Sequence, residues 1–337
     1  MGKDIILSVK NLAVEFETYG GIIKAVRDVS FDLQSGKTLA IVGESGCGKS
    51  VSVQALMGLI PMPPGRISNG DVLFKGRPII SQGEFVRRDY CGNEITMIFQ
   101  DAMTALNPTM KIGKQIAETL IVHKGMSAKA AQKRAVELLE LTKISEPDKR
   151  AKQFPFEFSG GMLQRAMIAM SLASEPDLLI ADEPTTSLDV TIQAQILELM
   201  KELQRSLGMS IILITHDLGV VANMADDVVV MYAGEIVESA PLDDIFYRSS
   251  HPYTIGLQHA MPHNDESRPH VLIPIEGSPP DLFHPPVGCG YYARCPHAMK
   301  LCEKNRPPMF KSGEQHLAQC WLQHPDAPST NNVFKNN

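Results

Sequence analysis

No apolar run in the 337-residue chain is long enough to span a bilayer. The nearest, SIILITHDLGVVANM, is interrupted by His216 and Asp217. The opening MGKDIILSVKN has neither the long apolar core nor the small-residue cleavage site of a secretory signal. A cytosolic location is therefore expected, where stable disulfides are rare. A basic excess is also missing. Acidic residues number 38 against 32 basic, a formal charge of −6, which disfavours nucleic acid as the main partner. Internal repeats and heptad arrays are absent, and so are C-x₂-C pairs, the usual mark of a zinc ribbon. Even so, four of the six cysteines crowd into the last fifty residues.

What the chain does have is an ordinary globular balance, 44% hydrophobic, and a length suited to one large domain with an appendage. ILSVKNLAVEFE and IKAVRDVSFDLQ, on either side of TYGG, predict antiparallel strands. Residues 111–145, with SAKAAQKRAVELLEL, predict helix. So does the run from Asp189 to Leu207, where Ile192, Ile196, Met200, Leu203 and Leu207 recur at helical spacing before Gly208. DLLIAD and SIILITHD are short continuous apolar runs of the kind buried in parallel sheets. DVVVMYAGEIVES predicts a hairpin turning near Ala233 and Gly234. Beyond about Ala260, the proline-rich GSPPDLFHPP predicts extended linker and HPDAPSTNNVFKNN a disordered tail. The main domain is expected to be α/β.

GESGCGKS fits the pattern G-x-x-x-x-G-K-[ST] after an apolar strand. Gly43, Glu44, Ser45, Gly46, Cys47, Gly48, Lys49 and Ser50, with Val51 behind them, would wrap phosphate oxygens in backbone N–H groups. Lys49 would reach the β- and γ-phosphates, Ser50 would ligate Mg²⁺, and a helix from about Lys49 would add its positive end. A ligand-free glycine turn is the bland alternative. Cys47, near that helix start, is expected to be a reactive thiol with a lowered pKa. In LLIADEP a strand ends in Asp182, suited to Mg²⁺, and Glu183 is placed to polarise an attacking water. Acidic residues at strand ends are common surface features, so this element gains its weight from following a phosphate loop. In FSGGMLQR, Ser159 is either a plain helix N-cap or, with Gly160 and Gly161, part of an anion site.

GESGCGKS, FQD, FSGGMLQR, LLIADEPTTSLD and ITHD, in that order over roughly residues 5–260, resemble the ATP-binding subunits of ABC transporters. The resemblance implies a P-loop NTPase (RecA-like) core with an N-terminal antiparallel β subdomain. An α-helical subdomain at about 101–170 would carry the signature motif, and a small irregular extension would follow. It implies a nucleotide-binding domain over 1–260 and an extension over 261–325, with the tail expected to be disordered on composition at 326–337. Gln100 would touch Mg²⁺ and sense the γ-phosphate, and His216 would contact that phosphate. Ser187, Leu188 and Asp189 would form the D-loop. Phe16 is the first candidate to stack on adenine and Tyr19 the second. Ser159, Gly160, Gly161 and Gln164 would face the ATP of a second ATPase subunit, as a heterodimer. FQDAMTALNP, IADEPTTSLDVTIQAQI, MYAGEIVE and HPYTIGLQHAMP narrow the resemblance to the D-type ATPases of oligopeptide and dipeptide importers. These imply ATP hydrolysis at the inner face of the cell membrane, two transmembrane permease subunits and an extracytoplasmic solute-binding protein. Two residues depart from the pattern: Ala102 after FQD, and Ala293, where proline is usual before RCP.

Cys289, Cys295, Cys302 and Cys320 are spaced C-x₅-C-x₆-C-x₁₇-C, while Cys47 and Cys91 stand apart. Four soft thiols in a proline-rich segment suggest one metal centre that organises a poor core, against the alternative of unligated core cysteines. The resemblance implies a [4Fe–4S] cluster at these four positions, with Zn²⁺ as the other choice. No nucleotide motif adjoins them, so the cluster is expected to be mainly structural, and replacing Cys295 or Cys302 to leave ATP binding at Lys49 largely intact. Two other functions compete. A soluble ATPase acting on DNA or ribosomes would usually carry coiled-coil insertions or a second cassette. A purely regulatory metal-binding module would have no use for Lys49, Asp182 and Glu183.

Overall fold

The structure, a computed structural model, describes residues 4–186, 188–260 and 274–328. Two compact units emerge. Of the described residues, one unit holds Asp4, 34–38, 87–186 and 188–214; the other holds 5–33, 39–86, 215–260 and 274–328. Among the described residues no helix is long and apolar enough to cross a membrane.

The unit with the phosphate loop contains a five-stranded sheet in the order Gly21–Gln34, Ile5–Thr18, Gly65–Phe74, Arg77–Ser81, Glu84–Phe85. The first strand explains its own irregularity. Leu7 and Val9 are buried, and then so are Leu12 and Val14, a change from odd to even positions. Period-two alternation cannot bury both pairs on one face without an extra residue. The pairing with Gly65–Phe74 shifts register between Lys10 and Ala13, where Asn11 takes φ +51°.

In the same unit, strand Thr38–Val42 is buried at every position and lies parallel to Asp227–Tyr232. The expected hairpin follows. Ala233 (φ +50°) and Gly234 (φ +80°) turn the chain into Glu235–Pro241, two left-handed residues as a type I′ turn requires. The extension then joins this sheet. Leu317–Ala318 pairs with Glu235–Pro241, and Phe310–Lys311 pairs with Leu317–Ala318. Tyr291 enters the buried core, its ring 5.3 Å from those of Tyr232 and Tyr253. The proline-rich segment thus has apolar packing that its own composition does not predict. The extension borrows the core of the domain before it.

The other unit carries parallel strands Ile95–Ile98, Leu178–Asp182 and Ser210–Ile214, buried throughout as their continuous apolar character predicts. Residues 111–145 are largely helical, in two helices. Ile112–Lys124 stops at Gly125, left-handed at φ +62°, and Ser127 caps the start of Ala128–Leu141. Both pack with helix Gly160–Leu172. Helix Val190–Leu207 has the expected limits: the Asp189 carboxylate accepts from Ile192 N–H, and Gly208 ends it at φ +68°.

Candidate functional site

The phosphate loop is shaped by close approach. At Gly43 (φ +150°) a Cβ would collide with the Met231 carbonyl, and at Gly48 (φ +101°) it would lie 2.5 Å from the Ala25 oxygen. Only glycine fits either position. The loop runs into helix Lys49–Leu56, as expected. Lys49 is 6% exposed, and its Nζ donates to the carbonyls of Gly43 (2.7 Å) and Glu44 (3.0 Å). Its third polar neighbour is Cys47 Sγ at 3.9 Å. Among the described residues, no carboxylate pairs with this buried ammonium. Ser45 and Gly46 are exposed, and Ser50 and Val51 are half-buried.

Cys47 does not have the lowered pKa expected from its place at a helix start. It is 5% exposed, and burial pushes the thiol up more than the neighbouring Lys49 ammonium pulls it down. His216 is exposed just beyond strand Ser210–Ile214, and the preceding Thr215 N–H donates to the Ile41 carbonyl at 3.4 Å. Of the two adenine candidates, Tyr19 is fully exposed at the hairpin turn, whereas Phe16 is half-buried beside Gly65.

The other unit gathers the acidic residues. Asp182 is buried at the end of its strand. Glu183 takes φ +46°, a conformation costing a non-glycine residue on the order of 1 kcal/mol. Its N–H donates to the Ile214 carbonyl, and its Oε2 accepts from Gln100 Nε2 (2.8 Å) and Thr186 Oγ1 (2.9 Å). Thr186 was not anticipated; its only sequence signal is its place three residues after Glu183. Ser159 caps helix Gly160–Leu172, its Oγ accepting from Met162 N–H, and Ser159 and Gly160 are exposed. Gly161 is half-buried. Gln164 is turned the other way, 4% exposed, so it presents no side chain outward. Leu188 is half-buried and Asp189 is taken up as a helix cap, while Ser187 lies outside the described residues.

Cys289, Cys295, Cys302 and Cys320 line one small cavity with His251, Tyr291 and Trp321. Among the described residues no two cysteines are joined in a disulfide. Burial pushes Cys289 and Cys320 up to about 12 and Cys295 up to about 11. As they stand, no three His, Cys, Asp or Glu side chains among the described residues form a group set to hold a metal ion. Arg294, directly before Cys295, nevertheless reaches the phosphate loop. Its Nη1 and Nη2 donate to the two carboxylate oxygens of Glu44 in the phosphate loop, at 2.6 and 3.0 Å. These bonds raise the arginine above its ordinary pKa. The Glu44 N–H also donates to Tyr253 Oη at 2.9 Å. Arg294 and Tyr253 lie over 200 residues from the loop, and no local pattern announces either contact.

Two family models match the chain. Residues 26–186 match the family model for ABC transporters, and residues 237–302 match that of the oligopeptide/dipeptide transporter C-terminal region. The chain is 58% identical to the oligopeptide transport ATP-binding protein OppD of Bacillus subtilis (strain 168), over 96% of this chain and 90% of that one. It is 54% identical to the dipeptide transport ATP-binding protein DppD of the same organism, over 94% and 95%. Among solved structures, the ATP-binding cassette MJ0796, a dimer bound to ADP and Pi, superposes with a TM-score of 0.61 at 26% identity. That match covers 70% of this chain and 98% of the other.

Proposed function

Because the chain belongs to the oligopeptide/dipeptide family of ABC transporter ATP-binding subunits, we propose that it hydrolyses ATP to power peptide uptake across the cytoplasmic membrane. The observation that carries this reading is Lys49. A buried ammonium whose partners are neutral carbonyls and a thiol sits in a loop of backbone donors, an arrangement completed by an anion.

On this reading, residues 43–51 cradle the triphosphate and Lys49 and His216 stabilise its charge. Phe16, or alternatively Tyr19, stacks on adenine. Ser50, Gln100 and Asp182 offer the hard oxygen donors that suit Mg²⁺, which when bound neutralises phosphate charge. Glu183 orients and polarises the attacking water, held meanwhile by Gln100 and Thr186. Ser159, Gly160 and Gly161 serve the nucleotide of a second ATPase chain in a heterodimer, with Leu188 and Asp189 beside them in the D-loop. Gln164, named with them in the signature motif, is buried in this chain. Two permease subunits hold the pair at the inner membrane face, and an external binding protein delivers the peptide. Reconstitution in vesicles tests this: uptake of a labelled peptide requires ATP and stops with Lys49→Ala. ATP-independent uptake would sink it.

For the extension, we infer a metal–thiolate site of Cys289, Cys295, Cys302 and Cys320, a [4Fe–4S] cluster before Zn²⁺. Four soft donors around one cavity support it. Such a site would hold the extension's loops together. Protein purified without oxygen should contain iron and acid-labile sulfide. Zinc without sulfide would select the alternative, and metal-free protein would remove both.

A further inference from the structure

Arg294 occupies a 3₁₀ turn, Tyr292–Arg294, inside the four-cysteine segment, yet its guanidinium works elsewhere. Besides the two bonds to Glu44, Nη1 donates to Tyr232 Oη (3.2 Å), Nη2 to the Ile275 carbonyl (3.1 Å) and Nε to the Glu276 carbonyl (2.9 Å). Its side chain is 4% exposed, against 27% for Glu44. A two-pronged arginine–carboxylate contact fixes direction as well as charge.

Glu44 is the second residue of the phosphate loop, and its carbonyl is one of the two that hold Lys49. Its N–H is committed to Tyr253, so the residue is fastened at backbone and side chain by groups outside the loop. A free carboxylate at this position would oppose an arriving polyanion and could itself compete for Lys49. The guanidinium cancels that charge and draws it away.

We propose that Arg294 is a positioning residue for the phosphate loop, which makes nucleotide binding depend on the folded four-cysteine extension. The inference rests on the ATP-binding reading above. Loss of Arg294 leaves Glu44 unpaired in a partly wet setting, where screening limits the effect to about tenfold in ATP affinity.

The test uses the full chain, a fluorescent ATP analogue and the emission of Trp321, the single tryptophan, which reports on the extension itself. Arg294→Gln should weaken binding about tenfold, and adding Glu44→Gln should recover most of that loss by removing the stranded charge. Recovery of this kind is not expected if Arg294 merely anchors the extension. Wild-type affinity in Arg294→Gln, or no recovery in the double variant, overturns the proposal. If Arg294→Gln shifts Trp321 emission, Arg294→Lys decides the matter. It keeps the charge and loses the fork, so intermediate affinity with unshifted emission supports the proposal, and wild-type affinity overturns it. Failure of the wild-type chain to bind the analogue would overturn the ATP reading, and this inference with it.

Discussion

Glu183 and Cys47 show how much a single residue's role depends on what surrounds it. Glu183 is held in a left-handed conformation with one oxygen accepting from Gln100 and Thr186, so its carboxylate has a set direction. Glu183→Gln should retain ATP binding while turnover in the assembled complex falls about 10²–10⁴-fold, as for loss of a positioned base. Near-normal phosphate release would remove that role. Cys47 carries the opposite lesson. A helix start lowers a thiol's pKa, but here burial outweighs it and the pKa is raised. The reactive thiolate is therefore scarce at neutral pH and grows as pH rises. Peptide mapping after alkylation should find Cys47 labelled slowly at pH 7 and faster at pH 9. Labelling at pH 7 as fast as free cysteine would contradict this.

At the scale of elements, what could be read in advance was what is local in the chain. The strand, loop and helix around GESGCGKS, the Asp189 cap with its Gly208 stop, and the Ala233–Gly234 turn each depend on neighbours within a few residues. The break at Gly125 is equally local, a left-handed glycine just past the last helical turn. The packing of the extension is not local. Its composition is poor in apolar residues, but Tyr291 packs on Tyr232 and Tyr253, brought near only by the whole fold. Tyr291→Ala should therefore cost about 3 kcal/mol of local stability, in the range for deleting a buried aromatic ring. In urea, the Trp321 transition should move to lower concentration. An unmoved midpoint would mean that the extension does not rely on that ring.

At the scale of the molecule, the chain holds one set of nucleotide motifs, and its exposed Ser159 and Gly160 are surfaces for another subunit on the proposed reading. The purified chain alone should hydrolyse ATP slowly, and a companion ATPase with the permease subunits should raise the rate. Equal turnover with and without them would remove the shared-site reading. The long-range contacts of Arg294 and Tyr253 with Glu44 belong to this scale too: they join segments that composition alone would assign to separate domains.

The two short outer strands of the extension have one more effect. Glu235–Pro241 would otherwise present bare backbone donors and acceptors along one side, and Leu317–Ala318 occupies part of that side. Exposed strand edges recruit other chains. A chain shortened to its first 260 residues would thus present a sticky border. Light scattering should show it self-associating at concentrations where the full-length protein stays dispersed, and equal dispersion of the two would mean that the border is shielded by other means.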